Sequence, residues 1–173
     1  MTEAKERPNP PVRLETFEEI SLRYPGLDPQ AMHAYVVLRK AQTRIELALD
    51  THLARHGLSF GRYLVLVHLM RAEGHSLTPA QLADACGITR ATITGLVDTL
   101  EKAGQVTREA DPEDGRSVQV RLSISGRRFL EKMLPDHFGR LMKMMSRFTP
   151  AELKSLEKLS DKLMQGASAL DQP

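Results

Sequence analysis

LTPAQLADACGITRATITGLVDTLEKAGQVTREADPEDGRSVQVRLSISG, residues 77–126, is the stretch of sequence that decides the fold. Thr78-Pro79-Ala80-Gln81 is typical of a capping box with proline at the first helical position, which is a specific helix start. Gly87 suits a tight turn, and Thr89 is placed to cap a second helix, in which apolar residues recur at helical spacing. A polar turn and an alternating strand follow, so the stretch predicts a helix-turn-helix that runs into a β-hairpin, or wing.

The hairpin and the helix behind it follow from the second half of this stretch. Val106 begins the first strand, and the alternation of Val118, Val120, Leu122 and Ile124 predicts the second. Ser125 is placed to cap a long helix that starts at Gly126, and Pro135 is expected to kink or interrupt that helix.

The sequence on either side of this stretch predicts long helices. Asp28 and Pro29 start one that runs to Arg55, and Thr149 opens a second capping box near the other end of the chain. These helices have more apolar face than one subunit can cover, so a symmetric dimer is expected. The predicted fold is mainly α, a winged helix-turn-helix flanked by long dimerisation helices. Its divisions are a disordered tail at 1–12, an extension helix at 13–25, dimerisation helices at 26–57 and 126–167, the winged helix-turn-helix region at 58–125 and a frayed tail at 168–173.

Composition excludes several classes of protein. The 173 residues carry a net charge of +2 and a single cysteine, Cys86, which excludes an internal disulfide. The sequence contains no run of about 18 apolar residues, so no membrane span is predicted. Its first residues lack the apolar core of a secretory signal, and a cytoplasmic protein is therefore expected. The metalloprotease, phosphate-loop, dinucleotide and nucleophile-elbow motifs are absent from the sequence, so we expect neither an enzyme nor a cofactor.

The stretch resembles the MarR family of winged-helix transcriptional regulators. Asp114-Gly115-Arg116, followed by Leu122-Ser123-Ile124-Ser125-Gly126, matches the family's wing signature, and residues 94–104 match its recognition-helix pattern. The resemblance covers about residues 29–165, and the extension helix is similar to that of the urate-responsive branch. It implies a homodimer on a pseudo-palindromic operator in double-stranded DNA, usually a repressor, which a small phenolic or aromatic acid or an oxidant releases.

A recognition helix presents the side chains of its N-terminal turns to base edges. Here the exposed polar residues would be Thr89, Arg90, Thr92 and Thr94. Arg116 matches the family's wing arginine, which enters the minor groove, and Asp114 can hold that guanidinium by a charge-assisted hydrogen bond. Many members of the family carry arginines at the positions of Gly95 and Thr99, and this chain does not. Readout of the shape of the DNA is therefore expected to contribute more here than base readout by arginine.

Residues 76–128 contain seven basic and seven acidic side chains, so local charge does not favour nucleic acid. An alternative function is therefore a winged-helix protein-interaction module that does not bind DNA directly. Salt-dependent binding to a palindromic duplex discriminates between the two.

The family's ligand pocket usually lies between the dimer helices and the winged helix, where an arginine could bind a carboxylate and a histidine could respond to pH. The candidates are His33, Arg39, Arg62, His68 and Arg71. The commoner role of each residue type is that of a surface arginine or a core histidine. The chain has no tryptophan, which departs from the urate-responsive ligand site.

Two further features have ordinary structural explanations. His52 and His56 are one helical turn apart, but the sequence offers no clear third ligand, and we predict no metal site. Cys86 lies on an apolar helix face, so we expect a packing role rather than a redox one.

Overall fold

A computed structural model describes residues 13–110 and 118–170. Within these ranges the chain is mainly helical with one small antiparallel sheet, which confirms the predicted fold class. The helices are α1 Leu14–Ser21, α2 Pro29–Ala54, α3 Phe60–Arg71, α4 Pro79–Cys86, α5 Arg90–Lys102, α6 Ile124–Met145 and α7 Pro150–Ala167, and the strands are β1 Ser76–Leu77, β2 Val106–Ala110 and β3 Val118–Leu122.

The chain divides into two compact units, Met1–Tyr63 and Leu64–Pro173. In the first unit, α1 packs against α2. Asp28 caps α2 as predicted, because its carboxylate accepts hydrogen bonds from the backbone N–H groups of Gln30 and Ala31. Much of α2 is nevertheless exposed, and its buried residues are confined to its last turn.

In the second unit, α4 packs against α5 and β3, and α5 packs against β2. The apolar side chains buried there come from α3, α4, α5, β2, β3 and α6: Val65, Leu66, Leu69, Leu82, Ala83, Ile93, Val97, Leu100, Val106, Val120, Leu122, Leu130 and Met133. The strand order is β1-β3-β2. The two-residue β1, which the sequence pattern did not predict, pairs Ser76 with Arg121 and Leu77 with Val120.

The start of α6 differs from the prediction. Ser123, and not Ser125, caps the helix, since its Oγ accepts the N–H of Gly126 at 2.9 Å. Ile124 therefore lies in the first turn of the helix, where it is 73% exposed, and it does not continue the alternation of β3. An extended residue with a hydroxyl acceptor three positions before a free N–H satisfies the geometry of an N-cap, and Ser123 meets both conditions.

Helix α6 also continues through Pro135, so the proline does not interrupt the helix. Pro135 cannot donate a hydrogen bond to the carbonyl of Glu131, but both residues are exposed, so water can satisfy that carbonyl. Buried residues on each side of the proline, Met133 and His137, keep the helix together. At the other end of the chain, α7 runs to Ala167 and is followed by a 3₁₀ turn at Ser168–Leu170, at the start of the range expected to fray.

Candidate nucleic-acid interface

The helix-turn-helix is built as the sequence predicts. Thr78 and Gln81 form a reciprocal capping box at the start of α4. Gly87 ends that helix at φ 65° and ψ 33°, a left-handed conformation that glycine adopts without steric cost. Thr89 then caps α5, and burial of Ile93, Val97 and Leu100 leaves the opposite face of α5 exposed.

All four predicted residues of the recognition helix are exposed, at its N-cap and in its first turns. The Thr89 hydroxyl accepts the Thr92 N–H at 3.2 Å and lies 2.9 Å from the Thr92 hydroxyl. The Thr94 hydroxyl donates to the carbonyl of Arg90 at 3.0 Å. These hydroxyls are thus engaged within the helix, whereas the exposed Arg90 guanidinium has no hydrogen bond or ion pair to any residue in 13–110 or 118–170.

The charges of this region are arranged more favourably for an anionic partner than their total suggests. Among the described residues, three exposed cations, Arg90, Lys102 and Arg128, have no carboxylate within ion-pair distance. Only one carboxylate between residues 76 and 128, that of Asp84, is equally unpaired among the residues described. The other described acids there are held by arginines, so within the described residues unpaired cations outnumber unpaired carboxylates.

The wing consists of β2 and β3, which pair from Val106 with Leu122 to Ala110 with Val118. The predicted wing residues Asp114 and Arg116 lie outside the described residues. Sequence reasoning missed the side chains that fix the base of the wing. Arg121 donates to the carboxylate of Glu109 and to the carbonyl of Gly74, and Arg108 donates to two carboxylates on α5.

The wing signature also contains a packing requirement. A Cβ added at Gly126 would lie 2.1 Å from the carbonyl oxygen of Gln105 and 2.9 Å from Leu122 Cδ1. Ser123 ties the same junction, because its hydroxyl donates to the carbonyl of Gly104 at 2.7 Å and its N–H donates to that of Gln105 at 3.0 Å. The first turn of α6 thus lies directly on the turn that joins α5 to β2, and glycine allows this approach.

The five predicted ligand residues do not form a common site within either unit. In the first unit, the His33 ring is tilted by 60° against that of Phe17, with centroids 6.2 Å apart, Arg39 donates to Gln42, and Arg62 donates to Ser59. In the second unit, His68 and Arg71 are three residues apart at the end of α3. The first unit has a cavity of about 530 Å³ where α1 leads into α2, and none of the five residues lines it.

The histidine pair and the cysteine have local explanations. His52 is buried, and its ring lies edge-on to that of His56 with centroids 5.2 Å apart. Cys86 is half-buried at the end of α4, and burial raises the pKa of its thiol. A raised pKa disfavours the reactive thiolate, which agrees with a packing role.

In the part of the chain that the structure describes, every helix is too short or too polar to cross a lipid bilayer.

Comparison with known proteins agrees with this architecture. Residues 56–117 match the sequence profile of the MarR family. The HTH-type transcriptional repressor YetL of Bacillus subtilis is 30% identical over 84% of this chain and 87% of its own length, and the transcriptional repressor MprA of Escherichia coli is 29% identical over 69% and 68%. The MarR family transcriptional regulator Sco3205 of Streptomyces coelicolor, solved in complex with DNA, is 30% identical with a TM-score of 0.77 over 85% of this chain and 91% of that one. The chain belongs to the MarR family of transcriptional regulators.

Proposed function

We propose that this protein binds double-stranded DNA directly, as a homodimer on a pseudo-palindromic operator, and acts there as a ligand-responsive repressor in the cytoplasm. Its family consists of transcriptional regulators and not of enzymes, in agreement with the absence of catalytic motifs. The observation that carries the proposal is the exposed face of α5, which presents Arg90, unpaired among the described residues, on a helix that three residues separate from the hairpin. Two relatives named as repressors support the direction of regulation.

We propose contacts to DNA from Thr89, Arg90, Thr92 and Thr94 in the major groove, and from Arg116, oriented by Asp114, in the minor groove. Arg90 carries most of the direct base or phosphate recognition, because the hydroxyls of Thr89 and Thr94 are already hydrogen bonded within α5. A guanidinium suits either a guanine edge or a phosphate.

The dimer is supported by the apolar side chains that the described chain leaves exposed. In the first unit, α2 exposes Tyr35, Val37, Leu38, Ile45 and Leu47. In the second unit, α6 and α7 expose Phe138, Met142, Met144, Leu156, Leu159, Leu163 and Met164. Apolar surface of this extent on a soluble regulator marks an association surface, and a two-fold symmetric partner is the simplest one that covers it.

We propose a small aromatic or phenolic acid as the effector, with a carboxylate held by Arg39, Arg62 or Arg71 and a pH response from His33 or His68. Helix α1 is similar to the N-terminal extension helix of the urate-responsive branch, and this supports a relationship between the chain and that branch. The chain has no tryptophan, which the ligand site of the urate-responsive branch carries, so we do not propose urate as the effector.

The test is binding of the full-length protein to a duplex that the protein selects from a random pool, measured by fluorescence anisotropy at several salt concentrations. We expect log K to fall linearly with log salt, by about 0.9 for each phosphate contacted. Arg90→Ala should weaken binding by about 1–3 kcal/mol, or roughly five- to 150-fold. The matched control is Lys158→Ala, which removes an exposed cation from α7 and should leave affinity unchanged.

The same assay tests the symmetry of the operator. Half-sites about one helical turn apart should bind strongly, and half-sites moved a further half-turn out of phase should bind weakly. Binding without a salt slope, or unaffected by both Arg90→Ala and Arg116→Ala, would refute direct DNA recognition and favour the protein-interaction module.

A further inference from the structure

Arg108 of β2 joins the base of the wing to α5 through both arms of its guanidinium. Nη2 donates to Asp98 and Nη1 donates to Glu101, and these two carboxylates lie three residues apart on the helix. One planar side chain thus spans a full turn of α5. We call this arrangement of Arg108, Asp98 and Glu101 the Arg108 clasp.

The clasp gives the hairpin a second attachment to α5. The first attachment is the turn at residues 103–105, where Gly104 has φ 69°. The clasp contacts α5 as far back as Asp98, four residues before the helix ends. Its arginine lies in the middle of β2, where Arg108 pairs with the fully buried Val120. The pairing of β3 with β1 and the burial of Val106 and Val120 also hold the strand pair in place. The clasp adds a direct link between β2 and the exposed side of α5, which fixes the orientation of the hairpin against that helix.

The charge state of Arg108 suits this role. Its hydrogen bond to Asp98 is the largest influence and raises the pKa of the guanidinium; burial opposes it, and the charges of Glu101 and Asp98 and the hydrogen bond to Glu101 raise the pKa further. The group therefore stays cationic at neutral pH. Lysine would keep the charge but has no planar fork with which to hold both carboxylates in fixed directions.

We propose that Arg108 is a positioning residue for DNA recognition: with Asp98 and Glu101, it fixes the angle between α5 and the wing so that both engage one operator together. This inference rests on the proposed function. It predicts a change in DNA affinity of the opposite sign to the change that electrostatics alone predicts. Removing two carboxylates from a DNA-facing helix should strengthen binding if charge alone matters, whereas loss of the clasp should weaken it.

The test measures the full-length protein with two probes, the duplex that the wild type selects from a random pool and an unselected duplex of equal length. The variants are Asp98→Ala/Glu101→Ala and Arg108→Lys, and the matched control is Asp84→Ala, which removes the exposed, unpaired carboxylate of α4. We expect both clasp variants to bind the selected duplex about three- to tenfold more weakly, from two exposed ion pairs. Neither should lose affinity for the unselected duplex, and Asp84→Ala should lose none for either.

The ratio of selected to unselected binding separates positioning from damage to the fold. A variant that merely unfolds would lose both affinities in the same proportion, and that outcome would overturn the proposal. It would also be overturned if Asp98→Ala/Glu101→Ala bound the selected duplex as tightly as the wild type or more tightly, and DNA binding itself would then stand. Absence of salt-dependent binding by the wild type would instead refute the proposed function, and the positioning role with it.

Discussion

Gly126→Ala is the substitution whose effect the structure defines most closely. The new Cβ would lie 2.1 Å from the carbonyl oxygen of Gln105, whereas carbon and oxygen in contact ordinarily stay about 3.3 Å apart. The first turn of α6 would have to retreat by about 1.2 Å from the turn after α5. That movement stretches the hydrogen bonds by which Ser123 holds the carbonyls of Gly104 and Gln105.

The cost can be estimated from these contacts. Overpacking against backbone costs up to about 3 kcal/mol, and weakening one hydrogen bond costs about 1 kcal/mol more. Alanine recovers about 1 kcal/mol as a better helix former than glycine. The net loss is about 3 kcal/mol, which corresponds to a fall of roughly 6–12 °C in Tm for a chain of this size.

The assay is thermal unfolding followed by far-ultraviolet circular dichroism at one fixed protein concentration. The matched control is Gly95→Ala, also a helical glycine, whose added Cβ would meet no atom within 4 Å. It should raise the stability by about 0.5–1 kcal/mol. The steric reasoning fails if Gly126→Ala melts within about 2 °C of the wild type, or if both variants shift in the same direction.

Three further results are expected. Because burial raises the pKa of the Cys86 thiol, iodoacetamide should modify it more slowly at neutral pH than it modifies a free cysteine, with a rate that climbs with pH; equal rates would contradict this. The N–H of Thr149 lowers the pKa of Glu152 from 4.5, so the stability that Glu152→Ala removes should be present above pH 4.5 and be lost as pH falls through the lowered pKa of the folded state, and a deficit independent of pH would argue against the capping box. Leu159→Glu/Leu163→Glu should convert the proposed dimer to a monomer in sedimentation velocity, and an unchanged dimer would exclude this face of α7 from the interface.

Local chemistry made the helix starts predictable. Thr78 and Thr149 each open a capping box followed by proline, and both boxes occur where the sequence places them. Such signals involve residues a few positions apart, so no tertiary information is needed to recognise them. The same holds for Gly87, whose left-handed conformation follows from the helix that ends there.

Features that depend on distant residues escaped prediction. The strand β1 exists because Ser76 and Leu77 meet β3, which lies more than forty residues later, and a two-residue strand has no periodicity of its own. The error at Ser125 has a similar origin. Two serines compete to cap α6, and the choice of Ser123 is favoured by its contact with Gly104, nineteen residues earlier.

The candidate site shows the same division. Arg90 and the three threonines could be assigned to the start of the recognition helix from the sequence, but the engagement of the hydroxyls depends on rotamers that the sequence does not specify. The neutral charge count concealed the pairing of Arg108 and Arg121, because a sum of charges contains no distances. A basic residue on a strand that faces two acids three apart on a neighbouring helix is the pattern that could have revealed the clasp.

The apolar faces of α2 and α7 have a thermodynamic consequence. If a second copy covers them, association becomes part of folding, and the free energy of unfolding depends on protein concentration by mass action. Each tenfold dilution then removes about 1.4 kcal/mol per dimer. For a regulator made in few copies, a lower concentration would reduce the fraction of chains in the folded dimer. Operator occupancy would then fall more steeply than copy number.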